Sequence, residues 1–268
     1  MLVDLIQLIR HCLGFWGYVL SSVFKKPYLG GYCFAKQEFL RGRFKIIENQ
    51  LVNYLENPDL KNKTINVLEI GSYAGDSCIR VSKILEKLNF QYNISCCDLW
   101  SSYEKDKKNI GGFAPSISLK FHSSGKIFQM FVENILYQGI FSNVIIYRGD
   151  SNKTLLDLVE KNKKFDFIFI DGSHSYKTVF NDIKFSKKLV KDKGIIIGDD
   201  YELDFNSLDK KTIHKLINNN TDFTFYQKNK IAYHPGVTKA VFDNFGNLNN
   251  KNGLFCIECL NSSYKSLF

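Results

Sequence analysis

The sequence lacks several kinds of segment, and each absence narrows the field. Its net charge of +9 comes with no long basic block and no RNA-binding aromatic motif, so it is not the footprint of a nucleic-acid binder. The lysines stand in ones and twos among asparagines and acids, as on a solvated surface with some attraction for anionic ligands or membranes. No clean apolar run of spanning length opens the chain. The first 24 residues, MLVDLIQLIRHCLGFWGYVLSSVF, are interrupted by Asp4, Arg10 and His11. They also lack the basic start and small-residue cleavage site of a secretory signal. No internal repeat is evident. Cys256 and Cys259 have CxxC spacing but no second pair or histidine partner, so they read as strand residues of the core rather than zinc ligands. The seven cysteines are an odd count, with Cys96 and Cys97 adjacent, which argues for reduced thiols in a reducing, cytoplasmic setting.

A chain of 268 residues with 44% hydrophobic and 24% charged residues suits one large globular domain with additions. Residues 1–63 are expected to form an N-terminal helical segment and residues 64–268 the main domain. Leu2, Leu5, Ile6, Ile9, Leu13, Trp16 and Leu20 make an apolar stripe at helical spacing. That helix would pack on the domain or on a second subunit of a homo-oligomer. The alternative is peripheral membrane contact through residues 1–24, with Trp16, Tyr18 and Lys25-Lys26 near lipid headgroups. A further helix is predicted near Arg43 to Leu55, and the polar, glycine-containing stretch 101–118 reads as a loop or lid.

The most informative stretch is KFDFIFIDGSHSYKTVFNDIKFSKKLVKDKGIIIGDDY, from Lys164 to Tyr201. FDFIFI and GIIIGDD are short apolar runs of the kind that fill strands buried on both faces of a parallel sheet. Val179, Ile183 and Val190 recur between them at roughly helical spacing. A βαβ unit brings both strand ends to one edge of the sheet, where ligands of open α/β folds bind. Asp171 therefore meets Asp199 and Asp200 at that edge, with His174 three residues after the first. Unpaired carboxylates repel and resist burial. A divalent cation with oxygen ligands relieves both costs; helix capping or a lysine partner is the competing role.

Upstream, NVLEIGSYAG reads as strand, glycine turn and helix start. Gly71 permits a sharp turn and close ligand approach, Gly75 permits tight helix–strand packing, and Ser72 lies inside the turn. Glu69 would repel phosphate but suits an amino group, a sulfonium or ribose hydroxyls. Asp98 ends the next strand, YNISCCDLW, where an acid can accept hydrogen bonds from ribose hydroxyls or cap a loop. Asp150 and Ser151 follow NVIIYR, near where an adenine amino group would lie; capping of the following helix competes. Farther on, Thr221 to Gln227 is expected as a strand and Tyr233 to Gly236 as a turn. Val237 to Phe245 follows as a helix, Gly253 to Leu260 as a closing strand, and Asn261 to Phe268 as a loose tail.

These residues resemble the class I S-adenosylmethionine-dependent methyltransferases, in the branch of macrocin-type sugar O-methyltransferases and cephalosporin-hydroxylase-like proteins. EIGSYAG resembles the glycine motif, although Tyr73 stands where a further glycine is usual. Asp98-Leu-Trp resembles the second-strand acid, and RGDS the adenine-side turn. FIDGSHSY with IIIGDDY resembles the metal-site pair, and HPGV at His234 to Val237 is also similar. The resemblance implies a Rossmann-like α/β fold with a seven-stranded, mostly parallel sheet, one antiparallel strand and helices on both faces. It implies S-adenosyl-L-methionine held by Glu69, Gly71, Ser72, Gly75, Asp98, Asp150 and Ser151. It further implies Mg²⁺ (or Mn²⁺) at Asp171, Asp199 and Asp200, and His174 as general base. The expected acceptor is a hydroxyl of a sugar, glycan or glycosylated small molecule. An NAD-dependent oxidoreductase, and a hydroxylase-like or non-catalytic relative on the same fold, are the alternatives.

Overall fold

The structure, a computed structural model, describes residues 16, 19–20, 23–26, 42–101, 125–228, 230–261 and 263–268. Short apolar runs become five parallel strands: β1 (Ile65–Ile70), β2 (Tyr92–Asp98), β3 (Val144–Arg148), β4 (Phe165–Ile170) and β5 (Val190–Gly198). All six positions of β4 are buried, as a strand covered on both faces requires. The helices are α1 (Arg43–Leu55), α2 (Asp76–Lys87), α3 (Lys126–Gln138), α4 (Ser151–Glu160), α5 (Tyr176–Leu189), α6 (Lys210–Asn218) and α7 (Pro235–Phe245).

The sheet runs β3-β2-β1-β4-β5 and then continues through β8 (Phe255–Leu260) and β9 (Ser263–Ser266). β8 lies antiparallel to β5, and β9 antiparallel to β8. The sequence order reverses between β1 and β4, which opens a crevice at their carboxyl ends. Successive strand residues point to opposite faces, so two cores form. Val67, Phe167, Phe169, Ile195 and Ile197 pack with α1, α2 and α3 on one side. Leu68, Ile70, Ile168, Ile170 and Ile196 pack with α4, α5 and α7 on the other.

The seven-stranded sheet with one reversed strand is as expected, but its last strand is not the expected one. Within 221–227 only β6 (Thr224–Phe225) forms, and it pairs with β7 (Ala232–Tyr233) in a separate ribbon. The tail, expected to be loose, supplies the edge strand β9. An edge strand needs only one packed face, and Ser263–Ser266 alternates exposed and half-buried positions. The Tyr264 ring anchors it 5.5 Å from Phe245, with the Lys187 ammonium 4.6 Å from the Tyr264 ring centre. The expected YHPG turn is divided between β7 and α7, because Pro235 sits in the first turn of the helix, where its missing N–H costs nothing.

Helix α1 is part of the main core: Phe44, Ile46, Ile47, Leu51 and Leu55 are buried in it. The five described cysteines are free and buried. Among the described residues, no helix is long and apolar enough to cross a membrane. The stripe from Leu2 to Leu13, Tyr18 and most of the 101–118 stretch lie outside the described residues.

Candidate active site

On one side of the crevice the site is made largely of backbone. Gly71 turns the chain after β1 with a left-handed φ of +94°, and a Cβ there would overlap the Asp171 carbonyl oxygen. Only glycine meets both demands. The Gly71 amide donates to the Cys97 carbonyl at 2.8 Å, and the Asp171 amide to the Ile70 carbonyl at 2.7 Å. The ends of β2, β1 and β4 are thereby fastened together. A groove opens over them, lined by Gly71, Asp98, Asp150, Ser151, Gly172 and Thr178 among others. Four of the residues expected to hold the cofactor, Gly71, Asp98, Asp150 and Ser151, thus share one cavity.

Glu69, Ser72 and Gly75 sit behind that surface rather than on it. Glu69 is 2% exposed and accepts from the Ser77 hydroxyl and, at 3.5 Å, from the Cys96 thiol. Burial pushes its carboxyl up to about 7, against the lowering effect of those hydrogen bonds. Ser72 is buried as well, and Gly75 packs against Phe131 at the start of α2. Asp98 accepts two backbone amides, from Tyr73 at 2.8 Å and Trp100 at 2.7 Å, so it ties the glycine turn to the end of β2 while facing the groove. Trp100 is buried, stacks near Phe128 and Phe131, and donates its indole N–H to the Tyr73 carbonyl. It is a packing residue of the core. Asp150 caps α4 by accepting the Lys153 amide at 3.1 Å, and Ser151 is the first helical residue.

The other side, at the ends of β4 and β5, is made of side chains drawn from distant segments. The turn after β4 carries Asp171 and His174 into the start of α5. Asp199 and Asp200 follow β5, and Asp200 takes a left-handed φ of 62°, which a short polar residue tolerates better than most. Its amide donates to Asp199 Oδ1 at 2.7 Å. Arg43 enters from α1, buried, and its guanidinium binds Asp199, Asp200 at 3.2 Å and Glu202 at 2.9 Å. Burial disfavours its charge, but the three carboxylates outweigh that and raise its pKa further.

His174 stands between two carboxylates. Its Nε2 lies 2.9 Å from Asp200 Oδ2 and its Nδ1 3.0 Å from Asp222 Oδ1. Burial works against protonation, yet Asp200 and Asp222 together push the imidazole up to about 10. The shift has a counterpart in Asp200: burial would raise it, but His174, His234 and Arg43 hold it well below the usual carboxylate range. His234 comes from the start of α7. Gly236 packs so closely there that a Cβ would overlap the His174 carbonyl, and this approach lays the two imidazole rings 4.2 Å apart. Beside His174 opens a cavity of ≈ 370 Å³, with Ser175, Lys177, Thr178, Asn220, Thr221 and Asp222 in its wall. Thr178 lines both this cavity and the groove.

Two of the three aspartates expected to bind Mg²⁺ are held by other side chains. Arg43 bridges Asp199 and Asp200, and the second oxygen of Asp200 faces His174. Among the described residues at this edge, the side chains whose ligand atoms all lie within 4.8 Å of one another are His174, Asp200 and His234. Two imidazoles and a carboxylate do not suit Mg²⁺, which prefers an oxygen shell. Glu69, Cys78 and Cys96 also approach one another, but burial holds the Cys96 thiol protonated, well above its ordinary range. Arg43, Glu202 and Asp222 were not legible as site residues. Each lies far from the βαβ unit in sequence or outside its motifs, and only His234 carried a signal, in HPGV.

The chain matches a family described as a methyltransferase domain over residues 68–201, half its length. No curated protein matches. Solved structures align at low identity. A protein described as a putative caffeoyl-CoA O-methyltransferase from Staphylococcus aureus is 14% identical, with 81% of each chain covered and a TM-score of 0.48. The calicheamicin methyltransferase CalS11 is 12% identical over 80% of this chain and 74% of its own, with a TM-score of 0.47. The O-methyltransferase NovP is 15% identical over 72% and 78%, with a TM-score of 0.47.

Proposed function

Because the chain belongs to the class I S-adenosylmethionine-dependent methyltransferases, we propose that it transfers the methyl group to a hydroxyl oxygen of a sugar, glycan or glycosylated small molecule. The groove over Gly71, Asp98, Asp150 and Ser151 takes the cofactor, and the cavity beside His174 takes the acceptor. The wall of that cavity offers hydroxyl, amide and carboxylate groups from Ser175, Thr178, Asn220, Thr221 and Asp222 for hydrogen bonds to a polyhydroxylated molecule. The observation that carries the reading is the place of His174, in the wall of the cavity that adjoins the groove at Thr178 and held from both sides by carboxylates.

Transfer from a sulfonium is an in-line displacement. The acceptor oxygen forms a bond to the methyl carbon as the carbon–sulfur bond breaks, and its electron pair leaves with sulfur as S-adenosylhomocysteine. The hydroxyl proton must go elsewhere. Here His174 receives it at Nε2 from its neutral form, Asp200 stabilises the imidazolium that results, and Asp222 fixes the ring. Mg²⁺ at Asp171, Asp199 and Asp200 has no part in this reading, since Arg43 already neutralises two of those carboxylates. The buried free thiols favour a reducing, cytoplasmic setting.

His174→Ala should lower kcat by about 100-fold or more while leaving S-adenosylhomocysteine affinity unchanged. Turnover at the original rate would remove His174 from the reaction. A screen with labelled S-adenosylmethionine against sugar nucleotides, glycans and phenolic diols tests the acceptor class. Labelling confined to the phenols would overturn the sugar reading.

A further inference from the structure

We infer that the amino edge of the sheet, opposite the crevice, is a docking face for an anionic phospholipid surface. Parallel strands begin at one edge, so the segments that enter β1, β2, β4 and β5 share a face. That face carries Lys61 and Lys63 before β1, Lys87 at the end of α2, Lys163 and Lys164 before β4, and Lys188 at the end of α5. All six are exposed.

The same local device presents the lysines at two neighbouring strands. Lys-Asn-Lys occurs at 61–63 and again at 161–163. The asparagine takes a left-handed φ in both, 64° at Asn62 and 52° at Asn162, a conformation that a short polar side chain tolerates. The chain turns there into its strand and leaves the flanking lysines in solvent. β1 and β4 pair directly, and β4 pairs with β5. Neighbouring strands are about 4.8 Å apart, so the lysines from β1 to β5 lie within about one Debye length of each other and act as one field. Acids on this face answer only part of that charge. Asp157 and Asp59 pair with Lys161 and Lys193, Glu86 and Asp192 accept from the Tyr92 hydroxyl and the Asn261 amide, and Glu56 and Glu160 complete the set. Lys61, Lys63, Lys87, Lys163 and Lys188 make no ion pair among the described residues.

Apolar side chains at the same edge decide the class of partner. Leu136 in the last turn of α3, Phe141 just before β3 and Leu88 just after α2 are 52%, 47% and 41% exposed. Lysines at helix C-termini also complement the helix dipole, but that role involves no exposed leucine or phenylalanine. A nucleic-acid backbone offers such groups nothing, whereas an anionic bilayer takes lysines at its headgroups and apolar tips beneath them. With the strand order β3-β2-β1-β4-β5, the apolar tips lie under one end of the sheet and most of the lysines under the other. β1 and β4 are each six residues long, about 20 Å, so a bilayer at this face leaves the crevice open on the far side. The face is separate from residues 1–24, and the inference does not depend on the methyl-transfer reading.

The test is flotation of the full-length chain with vesicles of mixed phosphatidylserine and phosphatidylcholine, against vesicles of phosphatidylcholine alone. Binding is expected to the anionic vesicles only, and should be lost at about 0.5 M salt, where screening shortens the reach of the lysines to about 4 Å. A lysine near an anionic bilayer is worth about fivefold in binding, so Lys61→Gln, Lys63→Gln and Lys163→Gln combined should weaken it by about 100-fold. Lys210→Gln, Lys211→Gln and Lys215→Gln combined make the same change of charge on α6, outside this face, and should alter it by less than about threefold. Leu88→Ser with Phe141→Ser should weaken binding by about tenfold and leave its salt dependence as it was. Circular dichroism verifies that each variant is folded, and the two lysine sets decide alone if the apolar pair is not. Any of four outcomes overturns the lipid face: no binding to anionic vesicles, full binding by the first lysine set, equal loss from both lysine sets, or binding of duplex DNA without binding of vesicles.

Discussion

At the β1–β2–β3 half of the sheet edge, the site is built from main chain: a glycine turn, amide-to-carbonyl bonds and two acids that hold backbone N–H groups. At the β4–β5 half it is built from side chains that arrive from residues 43, 174, 199–202, 222 and 234. The two halves meet across Gly71 and Asp171, yet they fail in different ways. A backbone-built half depends on shape, so it tolerates changes of charge and rejects added atoms. A side-chain-built half depends on charge balance, so it tolerates small changes of volume and rejects the loss of a partner.

The largest effect should come from the charged half. Arg43 is the guanidinium shared by Asp199, Asp200 and Glu202, all largely buried. Arg43→Met keeps much of the volume and leaves those carboxylates facing one another. Breaking a buried ion pair from one side costs about 3–5 kcal/mol, to be read from urea unfolding. An unchanged unfolding midpoint would mean that the cluster draws its balance from elsewhere. On the backbone half, Gly71→Ala should cost about 3 kcal/mol by forcing the ends of β1 and β4 apart. It should also weaken S-adenosylhomocysteine binding by more than about 10-fold. Calorimetry that finds normal affinity would show that the turn does not shape the groove.

How far the sequence could be read follows the same division. The buried strands, the glycine turn and the acids at the ends of β2 and β3 are legible because each depends on residues close in the chain. FDFIFI can be little other than a strand covered on both faces, and Gly71 announces its turn. The convergence of Asp171, Asp199 and Asp200 at one edge was legible for the same reason, since a βαβ unit brings its strand ends together. What they would find there was not. Arg43 is an ordinary first-turn arginine in sequence, 156 positions from Asp199, and nothing local marks it as the cation of the cluster. Asp222 falls in the stretch expected as a strand, and its bond to His174 depends on how the segment after α6 folds back over the start of α5. The tail strand was missed because SYKS has too little apolar character to announce itself, and Tyr264 packs only once Phe245 and Lys187 are in place.

A buried acid outside both halves calibrates the comparison. Asp182, on α5, is fully buried, and among the described residues no cation pairs with it. It accepts the Asn152 side-chain amide at 2.7 Å, and the charge it feels is the like charge of Asp150, which caps α4. Burial first, opposed by the hydrogen bonds from Ser151 and Asn152, pushes its carboxyl from 3.8 up to about 7. The unfolded chain therefore binds fewer protons than the native one between those two values, and stability must fall as pH rises through that window. Below pH 4 the cost is absent; above pH 7 it is complete. The difference corresponds to about 4 kcal/mol at most, and relaxation around the helix pair should reduce it to about 2 kcal/mol. Asp182→Asn should flatten this dependence, stabilising the chain at pH 8 and not at pH 4. Equal unfolding free energies for the two proteins at pH 8 would show that Asp182 ionises without penalty.

The smallest effect probes the side-chain half without removing any charge from Arg43's partners. Asp222→Asn keeps an oxygen that can accept from His174 Nδ1 and removes only the carboxylate's charge. If Asp222 merely fills space, neither rate nor affinity should change. If it holds the imidazole for proton transfer, kcat should fall about 10-fold, or about 1.4 kcal/mol, because the ring loses an electrostatic partner 3.0 Å away. S-adenosylhomocysteine affinity should stay constant, since the groove is assembled from backbone that Asp222 does not touch. Loss of affinity along with rate would mean that the halves are coupled through the shared wall at Thr178, and that the division between shape and charge does not hold across the crevice.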